Sequence, residues 1–176
     1  MPSEQDKVLQ AVKYAIQMEI DGKTFYLKAA QASKGKLGKA LLESLAKEED
    51  YHRTKLEQVY DALCKTGTCP IIEFKSDGGR TLRTIFAREQ EKPAGKTAMA
   101  DNEVEAVKIA MDMEDKSHDF YHTRYNQTKP GPEKDFYEVV AAEEREHKLV
   151  LTDYYEYLKD PGGFFVNKEH PSLDGG

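Results

Sequence analysis

The sequence predicts an all-α fold, a four-helix bundle made of two helical hairpins with one long crossover between helices 2 and 3. Three observations predict it. Four long segments carry apolar residues at helical spacing. The links within the first and second pairs of segments are short, whereas a stretch of about 35 residues separates the pairs. Finally, residues 11–26, AVKYAIQMEIDGKTFY, return at an offset of 95 as residues 106–121, AVKIAMDMEDKSHDFY, with eight of sixteen positions identical.

The first helix is expected from Ser3, an N-cap with Asp6 three residues on, to the KGKLG break at 34–38. Its stripe is Val8, Val12, Ala15, Glu19, Gly22 and Tyr26. The second runs from about Leu37 to Leu63 with Leu45, Glu49, His52, Leu56 and Val59 on one face. A short extra helix, RTLRTIFAREQE at about 80–91, lies in the crossover between the turn signals SDGG and KPAG. The third long helix starts near Asp101 or Asn102 and shows Val104, Val107, Met111, Glu114, Ser117 or His118, and Tyr121. The fourth begins at the PGP of 130–132, where Pro132 suits the first turn, carries Val140, Glu144, His147 and Leu151, and ends at DPGG, 160–163. At about 25 residues each, the long helices should measure roughly 35–40 Å. The bundle thus fills residues 1–160, and 161–176 form a Gly/Pro-rich tail too short for a second domain.

Composition narrows the function. The chain has 176 residues, enough for one domain with a sizeable core. It carries 26 Lys+Arg against 32 Asp+Glu, a formal charge of −6, so no basic face for nucleic acid is expected. No run of 18 apolar residues occurs, so no membrane span is expected. The start, MPSEQDKVLQ, is acidic and polar, unlike a secretory signal, which makes a soluble cytoplasmic protein the expectation. Cys64 and Cys69, in CKTGTC, are too few for a tetrathiolate centre and read as thiols at a helix end or loop, with a regulatory disulfide as the alternative.

The apolar stripes are broken by charge, and a charge on a core face is costly unless it has a use. In the first half Glu19 is followed 30 residues later by Glu49, with His52 three beyond; the offset of 95 maps these onto Glu114, Glu144 and His147. Residues three apart share one side of a helix and can converge on one ion. A carboxylate three before a histidine means little by itself, since Asp115/His118 and Asp119/His122 show the same spacing. Two Glu-x-x-His pairs in duplicated segments, each 30 residues after a Glu on an apolar stripe, are much harder to obtain from solvated surface. Packed face to face, the hairpins would gather four glutamates and two histidines at mid-bundle, the arrangement of ferritin-like di-iron and di-manganese proteins. Four carboxylates balance two divalent cations. Oxygen donors with two imidazoles suit iron, with manganese or a mixed pair as alternatives. His118, one turn beyond Glu114, reads as an unrelated surface histidine, with a place supporting the ligands as the alternative, and Glu48, Glu143 and Glu146 are expected to face water. Tyr26 and Tyr121 read as bundle core, with a hydrogen bond to a ligand carboxylate as the sharper alternative.

Glu19 with FY at 25–26, EEDYH at 48–52, Glu114 with FY at 120–121, and EEREH at 143–147 together resemble the rubrerythrin branch of the ferritin-like superfamily. The resemblance spans about residues 4–160, and the KEHPSLDGG tail also looks like that of stand-alone members. It implies a ferritin-like di-iron bundle in which Glu49 and Glu144 bridge two irons, Glu19 and Glu114 are terminal or chelating, and His52 and His147 bind one iron each. It implies an oxidoreductase that reduces hydrogen peroxide or oxidises ferrous iron with dioxygen, a role in oxidative stress, and a homodimer. Two departures accompany it. No four-cysteine rubredoxin module is present in the sequence, so electrons are expected from an external donor such as a separate rubredoxin. The family's further Glu, three residues after the first of the third long helix, is here Ser117, and Gly22 holds the matching place in the first half. Small residues at both places are expected to leave room beside the metals. A non-catalytic iron-binding protein for storage or sensing is the alternative function.

Overall fold

A computed structural model of the chain describes Met1 and residues 3–90 and 101–164. Five helices follow in order: α1 (Glu4–Ala32), α2 (Lys36–Thr66), α3 (Arg80–Gln90), α4 (Asp101–Gln127) and α5 (Pro132–Lys159). A single helical turn follows at 161–164, and no strand occurs among the described residues. The KPAG turn and the tail beyond residue 164 lie outside the described residues.

Helix α1 starts where the sequence places it. Ser3 Oγ accepts from the Asp6 amide at 3.1 Å, while the Asp6 carboxylate accepts from the Ser3 amide at 2.9 Å. This reciprocal pair satisfies two amides that the first turn leaves open. Helix α2 ends at Gly67, whose φ of 72° lets its amide reach back to the Leu63 carbonyl at 2.9 Å. Pro132 opens α5, its missing N–H costing nothing in the first turn.

The long helices have 29, 31, 27 and 28 residues, hence about 40–47 Å, longer than the sequence suggested. The difference lies at the ends. Helix α2 begins at Lys36 inside the KGKLG segment and runs on to Thr66, because Gly35 as N-cap and Gly67 as C-cap set its limits.

Helices α1 and α2 form one antiparallel hairpin, and α4 and α5 the other; α1 lies against α4, α2 against α5, and α3 packs across α2 and α5. The core comes in two apolar blocks. One gathers Tyr26, Leu41, Leu45, Val107, Leu151 and Tyr154; the other gathers Val12, Leu56, Val59, Tyr121, Phe136 and Val140. Among the described residues, the buried charged or polar ones are Glu19, Glu49, His52, Glu114, Glu143, Glu144 and His147. No helix among the described residues is long and apolar enough to cross a membrane. Both cysteines are free, and burial pushes the Cys69 thiol up to about 11.

Candidate metal centre

The stripes of the four long helices carry the six proposed ligands inward. Each stripe is completed by buried apolar neighbours: Val12 and Ala15 beside Glu19, Leu45 and Leu56 beside Glu49 and His52, Val107 and Ala110 before Glu114, Val140 and Leu151 around Glu144 and His147. Apolar burial at i, i+3 and i+4 fixes the rotation of each helix, and the charged residues share that face.

The structure brings all six together. Glu19, Glu49, His52 and Glu144 place one donor atom each within 4.8 Å of one another, and so do Glu49, Glu114, Glu144 and His147. The two groups share Glu49 and Glu144. Glu144 spans them: its Oε1 lies 3.0 Å from His52 Nδ1 and its Oε2 3.9 Å from His147 Nδ1. Glu19 Oε2 is 3.5 Å from His52 Nδ1, and Glu114 Oε1 is 3.5 Å from His147 Nδ1. The two imidazoles lie parallel, 7° apart in plane, with centroids 5.5 Å apart.

A test of fit comes from unmet hydrogen-bonding capacity. Each of the six residues has one buried atom without a hydrogen-bond partner: Glu19 Oε2, Glu49 Oε1, His52 Nδ1, Glu114 Oε2, Glu144 Oε1 and His147 Nδ1. Close carboxylates face the imidazole nitrogens without the alignment a hydrogen bond needs. An unsatisfied buried polar atom costs about 1–3 kcal/mol, so one on each of six adjacent residues marks a place shaped for cations. The donor set, four carboxylates and two imidazoles, fits a pair of iron or manganese ions.

Electrostatics say the same. Burial raises Glu49 well above the ordinary carboxylate range, and the charges of Glu19, Glu144 and Glu114 push it further. Burial does likewise for Glu144, helped by Glu114 and Glu19. Burial alone would lower His147, but the charge of Glu114 and the carboxylates of Glu48 and Glu49 lift it well above its usual value. These shifts share one cause, negative charge gathered in a buried space, which a divalent cation would offset.

Two tyrosines hold the outer carboxylates crosswise. Tyr26 on α1 donates to Glu114 on α4, and Tyr121 on α4 donates to Glu19 on α1. Both tyrosines are also core, 1% and 0% exposed, so the two readings offered by the sequence hold together. His147 Nε2 lies 2.9 Å from Glu48 Oε2.

Two expectations are corrected here. Glu143 does not face water: it is 4% exposed and accepts from Ser76 Oγ. Glu48 is only partly open, because His147 claims its carboxylate. The repeat held the signal, since each precedes a glutamate common to both donor groups and the two map onto each other at the offset of 95. Glu146 is partly exposed and pairs with Arg83 at 2.6 Å. His118 stays outside both donor groups, its Nδ1 3.4 Å from Asp119. The space at Gly22 is already taken: a Cβ there would lie 3.0 Å from Glu49 Oε2.

The rubrerythrin family model matches residues 10–155 of the chain. Comparisons with curated proteins and with solved structures found no match.

Proposed function

Because the chain belongs to the rubrerythrin family, we propose that it is a di-iron oxidoreductase that reduces hydrogen peroxide, or oxidises ferrous iron with dioxygen. For peroxide reduction the electrons come from a separate donor protein such as a rubredoxin. The observation that carries this reading is the pair of overlapping donor groups sharing Glu49 and Glu144, with one orphaned atom on each ligand. Glu19 and His52 would complete one metal position, Glu114 and His147 the other. Two irons bound there would supply one electron each on passing from ferrous to ferric, enough to reduce peroxide without releasing a radical.

The chain's own part is to hold, orient and exclude. Glu49 and Glu144, common to both donor groups, would be shared by the two metal positions. Tyr26 and Tyr121 fix the terminal carboxylates, so that each presents its free oxygen to the centre. Glu48 accepts a hydrogen bond from the His147 Nε2–H, the tautomer that leaves the Nδ1 lone pair directed inward. Glu48, with a side chain 21% exposed, is also where this side of the site meets solvent. The apolar blocks on either side keep bulk water away.

Anaerobic loading with ferrous iron, followed by peroxide or dioxygen, tests the proposal. Rapid appearance of ferric absorbance, with turnover once a reductant is added, supports it. Slow oxidation that stops at the iron supplied would instead assign the chain to storage or sensing.

A further inference from the structure

The histidines among the described residues form two stacked pairs. His52 and His147 lie inside the bundle. His118 and His122 lie on the outer side of α4, their planes 11° apart and their ring centroids 5.7 Å apart, close to the 5.5 Å of the inner pair. Residues four apart on a helix share one face, and two histidines at that spacing are the arrangement by which helical motifs bind zinc. The outer pair is not part of the repeat. At the offset of 95 its places in α1 are taken by Lys23 and Leu27, so the packing common to both hairpins needs neither ring.

Both rings are engaged along the same edge. His118 Nδ1 lies 3.4 Å from Asp119 Oδ1, and His122 Nδ1 lies 3.2 Å from the side-chain amide of Asn126. Tyr125 stacks on His122 with its plane 25° away, and Lys134 Nζ sits over the Tyr125 ring at 4.3 Å from its centroid. Neither Nε2 has a hydrogen-bond partner among the described residues. A proton on His118 Nδ1, donated to Asp119, leaves the Nε2 lone pair free for an ion. Asn126 does the same for His122 once its amide turns its oxygen toward the ring.

We propose that His118 and His122 form a separate site on the outer face of α4 for one late first-row divalent cation, of the class of Zn2+, Ni2+ and Cu2+, with water completing its coordination. Imidazole donors suit these ions, and affinity for such a site rises from Mn2+ and Fe2+ toward Cu2+. The inner donor set is rich in carboxylates and suits iron or manganese, so the two sites sort cations by donor type. The outer site stands whether or not the inner one is dinuclear.

Titration of the full chain with Zn2+, followed through the imidazole nitrogen resonances of each histidine, tests it. The Nε2 signals of His118 and His122 should move together and saturate at one ion for the pair. Two linked donors hold an ion far more tightly than either alone, so His118→Ala should weaken the response of His122 by about tenfold or more, and His122→Ala that of His118. Both variants should keep the wild-type circular dichroism, because the two side chains lie on the outside of the helix. The inference is overturned if neither ring responds, if only one does, or if each responds undiminished when the other is removed. The signals of His52 and His147 in the same titration report on the inner centre, so a failure of one site is read apart from a failure of the other.

Discussion

Tyr26 on α1 donates its hydroxyl hydrogen bond to Glu114 on α4, 88 residues further along the chain. Tyr121 on α4 donates in turn to Glu19 on α1, so each hairpin orients a buried carboxylate carried by the other. A hydrogen bond to a charged group contributes about 1.5–3 kcal/mol. Tyr26→Phe should therefore weaken metal binding about tenfold or more at the position of Glu114 and His147, and lower the melting temperature of the loaded protein. Calorimetric titration with Mn2+ checks the first effect; equal affinity in the variant would show that the hydroxyl does not orient the ligand.

The metal-free protein should be most stable at mildly acidic pH. Folding raises Glu49, Glu144 and His147 above their unfolded values. The stability these groups contribute is full below the unfolded values and is lost as pH rises through the folded ones. For Glu19, burial alone would raise the carboxyl, but the nearby His52 and Tyr121 hold it below its usual value; Glu114 is likewise held down, against burial, by His147 and Tyr26. Their contribution is lost instead as pH falls through the carboxylate range. Melting temperatures of metal-free protein across pH should fall on both sides, and Glu144→Gln should lessen the loss on the alkaline side. Saturating metal should remove the alkaline loss, since binding displaces the same protons. A metal-free melting curve that rises steadily with pH would contradict this.

Gly22 separates stability from binding. Alanine at a helix interior is favoured over glycine by about 0.8–1 kcal/mol, but here its Cβ would lie 3.0 Å from Glu49 Oε2. The carboxylate can give way when no metal is bound, yet it loses its bridging place when one is. Gly22→Ala should leave metal-free protein as stable as the wild type or slightly more so, while its metal affinity falls. Denaturant unfolding beside a metal titration checks both; unaltered affinity would show that Glu49 has room to spare.

Ser117 holds the place matching Gly22 in the second half. Ser117→Leu should slow the reaction of iron-loaded protein with peroxide while sparing metal content. Stopped-flow rates set beside iron analysis test it, and unchanged rates would mean that the oxidant reaches the centre from another side.

What could be read from the sequence was whatever repeats or is periodic. The gathering of six polar residues at mid-bundle was legible because each replaces an apolar residue on a 3.6-residue stripe and has a counterpart at an offset of 95. Buried charge in duplicate is hard to produce by accident. The hairpins were legible from link lengths. Helix ends were less so: glycine caps such as Gly35 and Gly67 fix them through backbone geometry, and periodicity alone does not locate it. The supporting residues were hardest. Glu48 and Glu143 look like the solvated acids beside them until folding shows which face each occupies. Ser76 sits in the crossover, where no period says what it touches.

The central claim is that Glu19, Glu49, His52, Glu114, Glu144 and His147 hold two metal ions between the hairpins. Anaerobic titration of metal-free protein with ferrous iron tests it most directly. The account predicts saturation at two irons per chain, and loss of both when Glu49 or Glu144 is changed to alanine. Saturation at one iron or none, or two irons retained by those variants, would contradict it.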